Sequence, residues 1–264
     1  MIKSPAELAR MAEAGALLAQ VFARLDALDL EGLSTLAIND RVERIIVDDM
    51  QARPASKGQY DFPYVLNASI DDVVCHGVPS ADDVLRSGQI VNLDITLEKN
   101  GYIADSSTTY LVGDVGYPAR RLVTATWEAM WHGIAAVRPG AHLGDIGHAI
   151  ARHARDRGYT VVKEYCGHGI GREMHEDPQI LHYGHAGTGM RLEEGMTFTI
   201  EPMLNQGTAA IRHQPDQWPV HTRDGKLSAQ FEHTVAVTAT GVQVLTLRPG
   251  ERPPPGLRIE RRSP

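Results

Sequence analysis

The chain has 264 residues, 42% of them hydrophobic and 22% charged, and its 26 Lys+Arg against 33 Asp+Glu leave a net charge of −7. That composition suits a globular protein long enough to bury a core without staples, and the negative balance argues against a protein that grips nucleic-acid backbones. Two cysteines are too few for a disulfide framework, and no segment is apolar enough for a signal-peptide core or a membrane span, so a cytoplasmic protein with no membrane partner is expected.

Ser4, Pro5 and Glu7 carry the spacing of a capping box and predict a helix start, with Leu8, Met11, Ala14, Leu18, Phe22 and Leu25 forming its apolar stripe. A second helix is predicted from Ser34 or Thr35, with Ile38, Val42, Ile45 and Ile46 inward, fading before Pro54. Residues 53–63 read as loop and Val65 to Ile70 as a strand. Val91, Leu93, Ile95 and Leu97 alternate with Asn92, Asp94 and Thr96, and Asn100-Gly101 is the preferred pair for a two-residue turn, so Tyr102 to Val112 should return as the partner strand. Helices follow at about 119–137 and 143–157, and strands at 160–165, 195–202 and 230–238. Gly32-Leu33-Ser34-Thr35 and Gly140-Ala141-His142-Leu143 hold the same place between paired helices, which suggests an internal structural repeat. No interior linker breaks the chain, so residues 1–247 read as one domain and the Pro/Arg-rich residues 248–264 as a tail.

The hairpin register can be worked out. With Asn100 and Gly101 as the turn, paired positions sum to 201, so Asp105 faces Thr96 and Asp94 faces Ser107. Asp94 and Asp105 then become diagonal neighbours about 7–8 Å apart on one face. Two converging carboxylates repel unless a proton or cation lies between them, although one such pair taken alone reads more readily as two unrelated surface acids. Glu201 falls on the Thr197/Thr199 face of its segment, away from Phe198 and Ile200, and Glu232 on the Gln230 face, away from Phe231. Four acids on the polar phase of core-facing strands are most economically explained by a shared cation.

Of the twelve histidines, His168 lies in the Gly-rich loop Cys166-Gly167-His168-Gly169-Ile170-Gly171, where it could be an imidazole ligand; His76 and His175 are further candidates. Any one of them taken alone reads more readily as a structural histidine, and Cys75 and Cys166 read as small core residues. Four carboxylates and one imidazole suit hard or borderline divalent ions such as Mn²⁺ or Fe²⁺, with Co²⁺ or Zn²⁺ able to substitute. A GxxxxGK[ST] phosphate loop, an HExxH helix and a GxSxG elbow are all missing from the sequence.

Six ordered motifs, Val73-Val74-Cys75-His76-Gly77, Asn92-Leu93-Asp94, Asp105-Ser106-Ser107, Cys166 to Gly171, Thr197-Phe198-Thr199-Ile200-Glu201-Pro202-Met203 and Ser228-Ala229-Gln230-Phe231-Glu232-His233-Thr234, resemble those of the type I methionine aminopeptidases. The resemblance runs from the first helix to about Leu247. It implies an α+β pita-bread fold, helices outside a curved antiparallel sheet with pseudo-twofold halves, around two divalent metal ions (Mn, Fe(II), Co or Zn). By the same resemblance, Asp94, Asp105, His168, Glu201 and Glu232 would be the metal ligands, with Asp105 and Glu232 bridging. His76 would hydrogen-bond the scissile amide, His175 would stabilise the oxyanion, and Glu201 would also relay the proton from a bridging water. Tyr60, Phe62 and Trp218 would form the methionine pocket.

The implied activity is removal of the initiator methionine from nascent chains whose second residue is small, by a cytoplasmic monomer that could contact the ribosome. Met174, where many relatives carry an aromatic residue, and Asn67, at a position often filled by cysteine, put fine selectivity rather than chemistry in question. Two other readings remain: an Xaa-Pro aminopeptidase or prolidase, which shares the ligands but usually has an extra N-terminal domain, and a non-catalytic pita-bread binding protein.

Overall fold

The computed structural model describes residues 2–213, 218–257 and 259. The remainder of the Pro/Arg-rich tail, 258 and 260–264, lies outside the described residues. Helix α1 spans Pro5–Leu25, with Ser4 and Glu7 forming the expected capping box. Ser34 caps α2 (Thr35–Arg44), which runs on into one wider turn over Ile45–Asp49. Two more helices, α3 (Tyr117–Ala135) and α4 (Leu143–Asp156), form the second pair. The strands in chain order are β1 (Arg53–Pro54), β2 (Leu66–Ile70), β3 (Val73–Cys75), β4 (Ile90–Lys99), β5 (Tyr102–Leu111), β6 (Thr160–Val161), β7 (Gly167–Gly169) and β8 (Glu176–Ile180). They continue with β9 (Thr197–Ile200), β10 (Met203–Asn205), β11 (Ile211–His213), β12 (Val220–Thr222), β13 (Ser228–Gln230), β14 (Glu232–Val237) and β15 (Val242–Val244).

A nine-stranded antiparallel sheet organises the molecule, in the order β1-β4-β5-β14-β9-β7-β8 with β2 on β4 and β15 on β14. The β4–β5 hairpin keeps the expected register throughout, from Ile90 opposite Leu111 to Lys99 opposite Tyr102, without a bulge. Its turn works because Asn100 (φ 54°) and Gly101 (φ 79°) both take left-handed conformations, which those residues tolerate and a β-branched residue would not.

Each face of the sheet has its own job. Val91, Leu93, Ile95 and Leu97 of β4 are fully buried with Leu18, Phe22, Ile38 and Val42 under the first helix pair. Phe198 and Ile200 of β9 and Val235 and Val237 of β14 are buried with Met130, Trp131, Ile134, Ile146 and Ile150 under the second. This arrangement is the α+β pita-bread fold, and the suspected repeat is visible in detail. Ser34 and His142 are both extended N-cap residues, and Gly32 (φ 81°) and Gly140 (φ 84°) precede them in the same left-handed conformation.

Three local expectations need correction. The predicted strand 160–165 shrinks to the two residues of β6. The glycine-rich stretch 166–171, read as loop, contains β7, because its glycines let it slot between β8 and β9. Within the 53–63 loop, β1 pairs with the end of β4. Alternation and propensity measure neither of the last two, since both segments become strands only when a neighbour supplies the other half of the ladder.

Candidate active site

Residues on the sheet's second face are polar, yet they are not solvated. Asn92, Thr96, Asp105, Thr197, Thr199, Glu201 and Glu232 are each at most 9% exposed. Four of them, Thr96, Asp105, Glu201 and Glu232, line one side of a cavity of about 550 Å³ whose wall also includes Asp94, His168, His76, His175, Phe62, Tyr60 and Trp218. Asp94 comes from β4, Asp105 from β5, His168 from β7, Glu201 from the position just after β9 and Glu232 from the start of β14. The fold therefore gathers five side chains from strands of both halves. Asp105, His168 and Glu232 each present a ligand atom within 4.8 Å of the other two. His168 Nε2 lies 3.5 Å from Glu201 Oε1 and 3.9 Å from Asp105 Oδ2.

Electrostatics identify what this cluster is built to hold. Burial pushes the Asp105 carboxyl up to about 6 and the Glu201 carboxyl up to about 8, the latter with help from Asp105. Burial, and then the neighbouring carboxylates, raise Asp94 and Glu232 well above the usual carboxylate range. Burial lowers His168 to about 4, so its imidazole is neutral. His168 Nδ1 lies 3.0 Å from the Gly169 carbonyl, an acceptor that fixes the proton on Nδ1. A bare Nε2 lone pair thus faces two carboxylate oxygens, and the buried Oε1 of Glu232 has no hydrogen-bond partner. Among the described residues, no Lys or Arg lines the cavity. Lone pairs converging from an oxygen-rich set with one imidazole repel one another unless a cation sits among them, so the residues present fit a divalent metal.

Supporting contacts hold the donors in place. Thr199 Oγ1 donates to Glu201 Oε1 at 2.7 Å, and Gln230 Nε2 donates to Glu201 Oε2 at 3.3 Å. The Glu201 N–H donates to Nε2 of buried His182 at 3.2 Å, and Thr96 donates to Asp105 Oδ1 at 3.0 Å. The glycines flanking His168 are there for space: a Cβ on Gly167 would strike the Thr199 carbonyl, and one on Gly169 the Asp177 carbonyl. Thr199, Gln230 and His182 escaped the sequence reading. Thr199 and Gln230 carried a signal, since each sits two residues before an acid on the same face; nothing local marks His182.

Both catalytic histidine candidates reach the cavity. His175 packs its ring edge-on to His168 at a centroid distance of 4.4 Å and stacks with Tyr60 at 6.3 Å. His76 stands edge-on to Tyr165 at 5.4 Å and to Trp218 at 6.4 Å, and burial, then His175 and His213, lower its pKa to about 4. Phe62 is 4% exposed and meets Trp218 edge-on at 5.3 Å, whereas Tyr60 is 70% exposed at the rim. Asn67 pairs with Asp94 across β2 and β4, and Met174 lines the cavity beside His175. Cys75 is buried with its thiol pKa pushed up by burial, so the reading of it as a core residue agrees with its surroundings.

The family described as Metallopeptidase family M24 matches residues 9–239. The chain belongs to metallopeptidase family M24. Within the family it is similar to methionine aminopeptidase B of Synechocystis sp., with 46% identity over 94% of this chain and 92% of that protein. Its fold matches the crystal structure of the methionine aminopeptidase from Rickettsia prowazekii, with a TM-score of 0.91, 44% identity, and coverage of 94% of this chain and 99% of that one. The prolidase from Pyrococcus furiosus shares the fold at a TM-score of 0.73 and 24% identity, but 95% of this chain accounts for only 66% of the prolidase. Among the described residues, no helix is long and apolar enough to cross a membrane.

Proposed function

We propose that the chain is a metal-dependent methionine aminopeptidase that removes the N-terminal methionine of nascent proteins and peptides when the second residue is small, acting in the cytoplasm through a catalytic unit of residues 1–247. The carrying observation is the convergence of Asp94, Asp105, His168, Glu201 and Glu232 at one end of a cavity whose other wall is aromatic. These five would hold two divalent cations, with Mn²⁺, Fe²⁺, Co²⁺ and Zn²⁺ the candidates by donor type. Bound there, the cations supply Lewis-acid polarisation and lower the pKa of water.

The chain's own groups do the rest. Glu201 is held by Thr199 and Gln230, and its free lone pairs accept the attacking water's proton and return it to the leaving amine. Neutral His76 donates a ring N–H to the scissile amide. His175, beside His168, places a donor at the carbonyl oxygen where negative charge develops; such a donor is worth about 3–4 kcal/mol. Phe62, Trp218 and, at the rim, Tyr60 enclose the methionine side chain, whose burial contributes roughly 1.5–3 kcal/mol. The matched lengths favour this reading over the Xaa-Pro peptidases, since methionine aminopeptidases are spanned almost end to end and the prolidase only in part. All five donors are present, which disfavours a binding protein without catalysis.

Full-length protein reconstituted with each of the four cations is expected to release methionine from Met-Gly and Met-Ala peptides and to leave Xaa-Pro dipeptides intact. Failure to release methionine with every cation refutes the reading, and preferential Xaa-Pro cleavage replaces it with the prolidase alternative.

A further inference from the structure

His175 is carried by the short segment between β7 and β8, which has no regular structure of its own over Ile170–Met174. The chain's N-terminal residues hold that segment from outside. Lys3, with a side chain only 7% exposed, places Nζ 2.6 Å from Oε2 of Glu176, the residue after His175. The other Glu176 oxygen accepts the Arg172 N–H at 3.0 Å. Glu176 thus closes the 172–176 turn on itself while Lys3 ties it to the body. Burial works against the Glu176 carboxylate, but the Lys3 ammonium still holds its pKa below the usual value.

Lys3 is itself anchored. Its N–H donates to the Gly195 carbonyl at 2.7 Å, and Ile2 forms an antiparallel bridge with Met196. Space around the ion pair is fully used, because a Cβ on Gly171 would lie 2.5 Å from Glu176 Oε1 and 2.6 Å from Lys3 Nζ. A second tether runs in parallel. The Arg172 guanidinium lies 4.6 Å from the centroid of the buried Tyr102 ring, and Tyr102 donates its hydroxyl to Glu7 of the α1 capping box at 2.9 Å. The Ile103 N–H also donates to the Gly171 carbonyl at 2.7 Å.

We infer that Lys3 is a positioning residue for the hydrolysis: its ion pair with Glu176 fixes the backbone that aims the His175 imidazole at the substrate carbonyl. The inference rests on the proposed reading of the site. Among the described residues Lys3 is the only buried lysine or arginine, and the hydration its ammonium loses there must be offset by a well-placed carboxylate. Here the compensating carboxylate is covalently adjacent to a reacting group.

The test is a double-mutant cycle in the full-length, Mn²⁺-reconstituted protein on a Met-Gly peptide. Lys3→Met is expected to lower kcat by about ten- to a hundredfold, the scale on which supporting groups that orient a reactive residue act. KM should stay within about twofold and bound metal should not change, because the ligands are untouched. In a His175→Ala background the same substitution should cost no more than about twofold, because the side chain being aimed is gone. Wild-type kcat in Lys3→Met overturns the inference, as does an equal loss in both backgrounds, which marks a purely structural role. Should Lys3→Met fail to fold, Glu176→Gln, which keeps the Oε1 acceptor for Arg172, enters the same cycle and is read in the same way. A wild-type chain that releases no methionine overturns the parent reading and this inference together, whereas an active wild type with uncoupled variants overturns this inference alone.

Discussion

Gly77 follows His76, and its φ lies outside the left-handed region, so alanine could adopt its backbone conformation. Space is what forbids it. A Cβ at Gly77 would lie 2.5 Å from the Ala68 carbonyl carbon and 2.8 Å from Ser69 Cα, and nearer still to the Ala68 oxygen. Carbon atoms rest about 3.5 Å apart, so relief requires β2 and the His76 segment to separate by about 1 Å. That movement pulls on two hydrogen bonds, Ala68 N–H to the Gly77 carbonyl at 2.9 Å and Gly77 N–H to Ser69 Oγ at 3.1 Å. It also reaches the carboxylate cluster, because Asn67, next to Ala68, pairs with Asp94. Overpacking of this kind costs about 1–3 kcal/mol of stability, and a displacement of about 1 Å at a catalytic group costs on the order of a hundredfold in rate. Gly77→Ala is therefore expected to melt several degrees below the wild type in scanning calorimetry and to lose about a hundredfold in kcat/KM on Met-Gly peptides. Gly116→Ala is the control: its φ is −63° and the nearest atom to a new Cβ is 3.8 Å away, so its stability should stay within about 1 kcal/mol of the wild type. A Gly77→Ala protein with wild-type melting and turnover would refute the steric argument.

His175→Ala should lower kcat by about a hundred- to a thousandfold while metal analysis finds the site as full as in the wild type, because the proposed reading makes His175 an oxyanion donor and not a ligand. Glu201→Ala should remove turnover and also weaken metal binding, since the proposed reading gives this one carboxylate both duties. Stripping divalent ions with a chelator should abolish methionine release and lower the melting temperature, and adding Mn²⁺, Fe²⁺ or Co²⁺ back should restore both. Away from the site, burial opposes the Glu251 carboxylate, but His233 and Arg248 hold its pKa down at about 2. A carboxylate depressed in the folded state contributes stability above its ordinary value of 4.5 and loses it as pH falls toward 2. Between those pH values the wild type should lose about 3 kcal/mol more than Glu251→Gln in denaturant titrations, and parallel pH profiles would exclude this role.

The hairpin shows how far the sequence reaches. The period-two alternation of residues 91–97 and the Asn100-Gly101 turn determine register, and that register alone sets Asp94 and Asp105 on one face. The same alternation assigned Glu201 and Glu232 to the faces they occupy, and helix caps at Ser4 and Ser34 were legible because capping is a local hydrogen-bond problem. What periodicity could not say is that both faces of β4 are buried. It marks one side as core and leaves the other to be read as solvent, while here the second side lines a cavity.

The segments from Gly167 onward were harder to read. The strand character of β7, the contact of His182 with Glu201, and the packing of Arg248 against the Phe22 ring depend on partners tens to hundreds of residues away. Local chemistry within the chain thus determined which residues could bind, cap and turn, and in what register a neighbouring strand would meet them. Only tertiary packing decided that four carboxylates and an imidazole from both halves converge, because curvature of the sheet and closure by two helix pairs are set by the sum of long-range contacts. The same holds for Lys3 and His175, which lie far apart in the chain and share a purpose only once the fold has brought Glu176 between them.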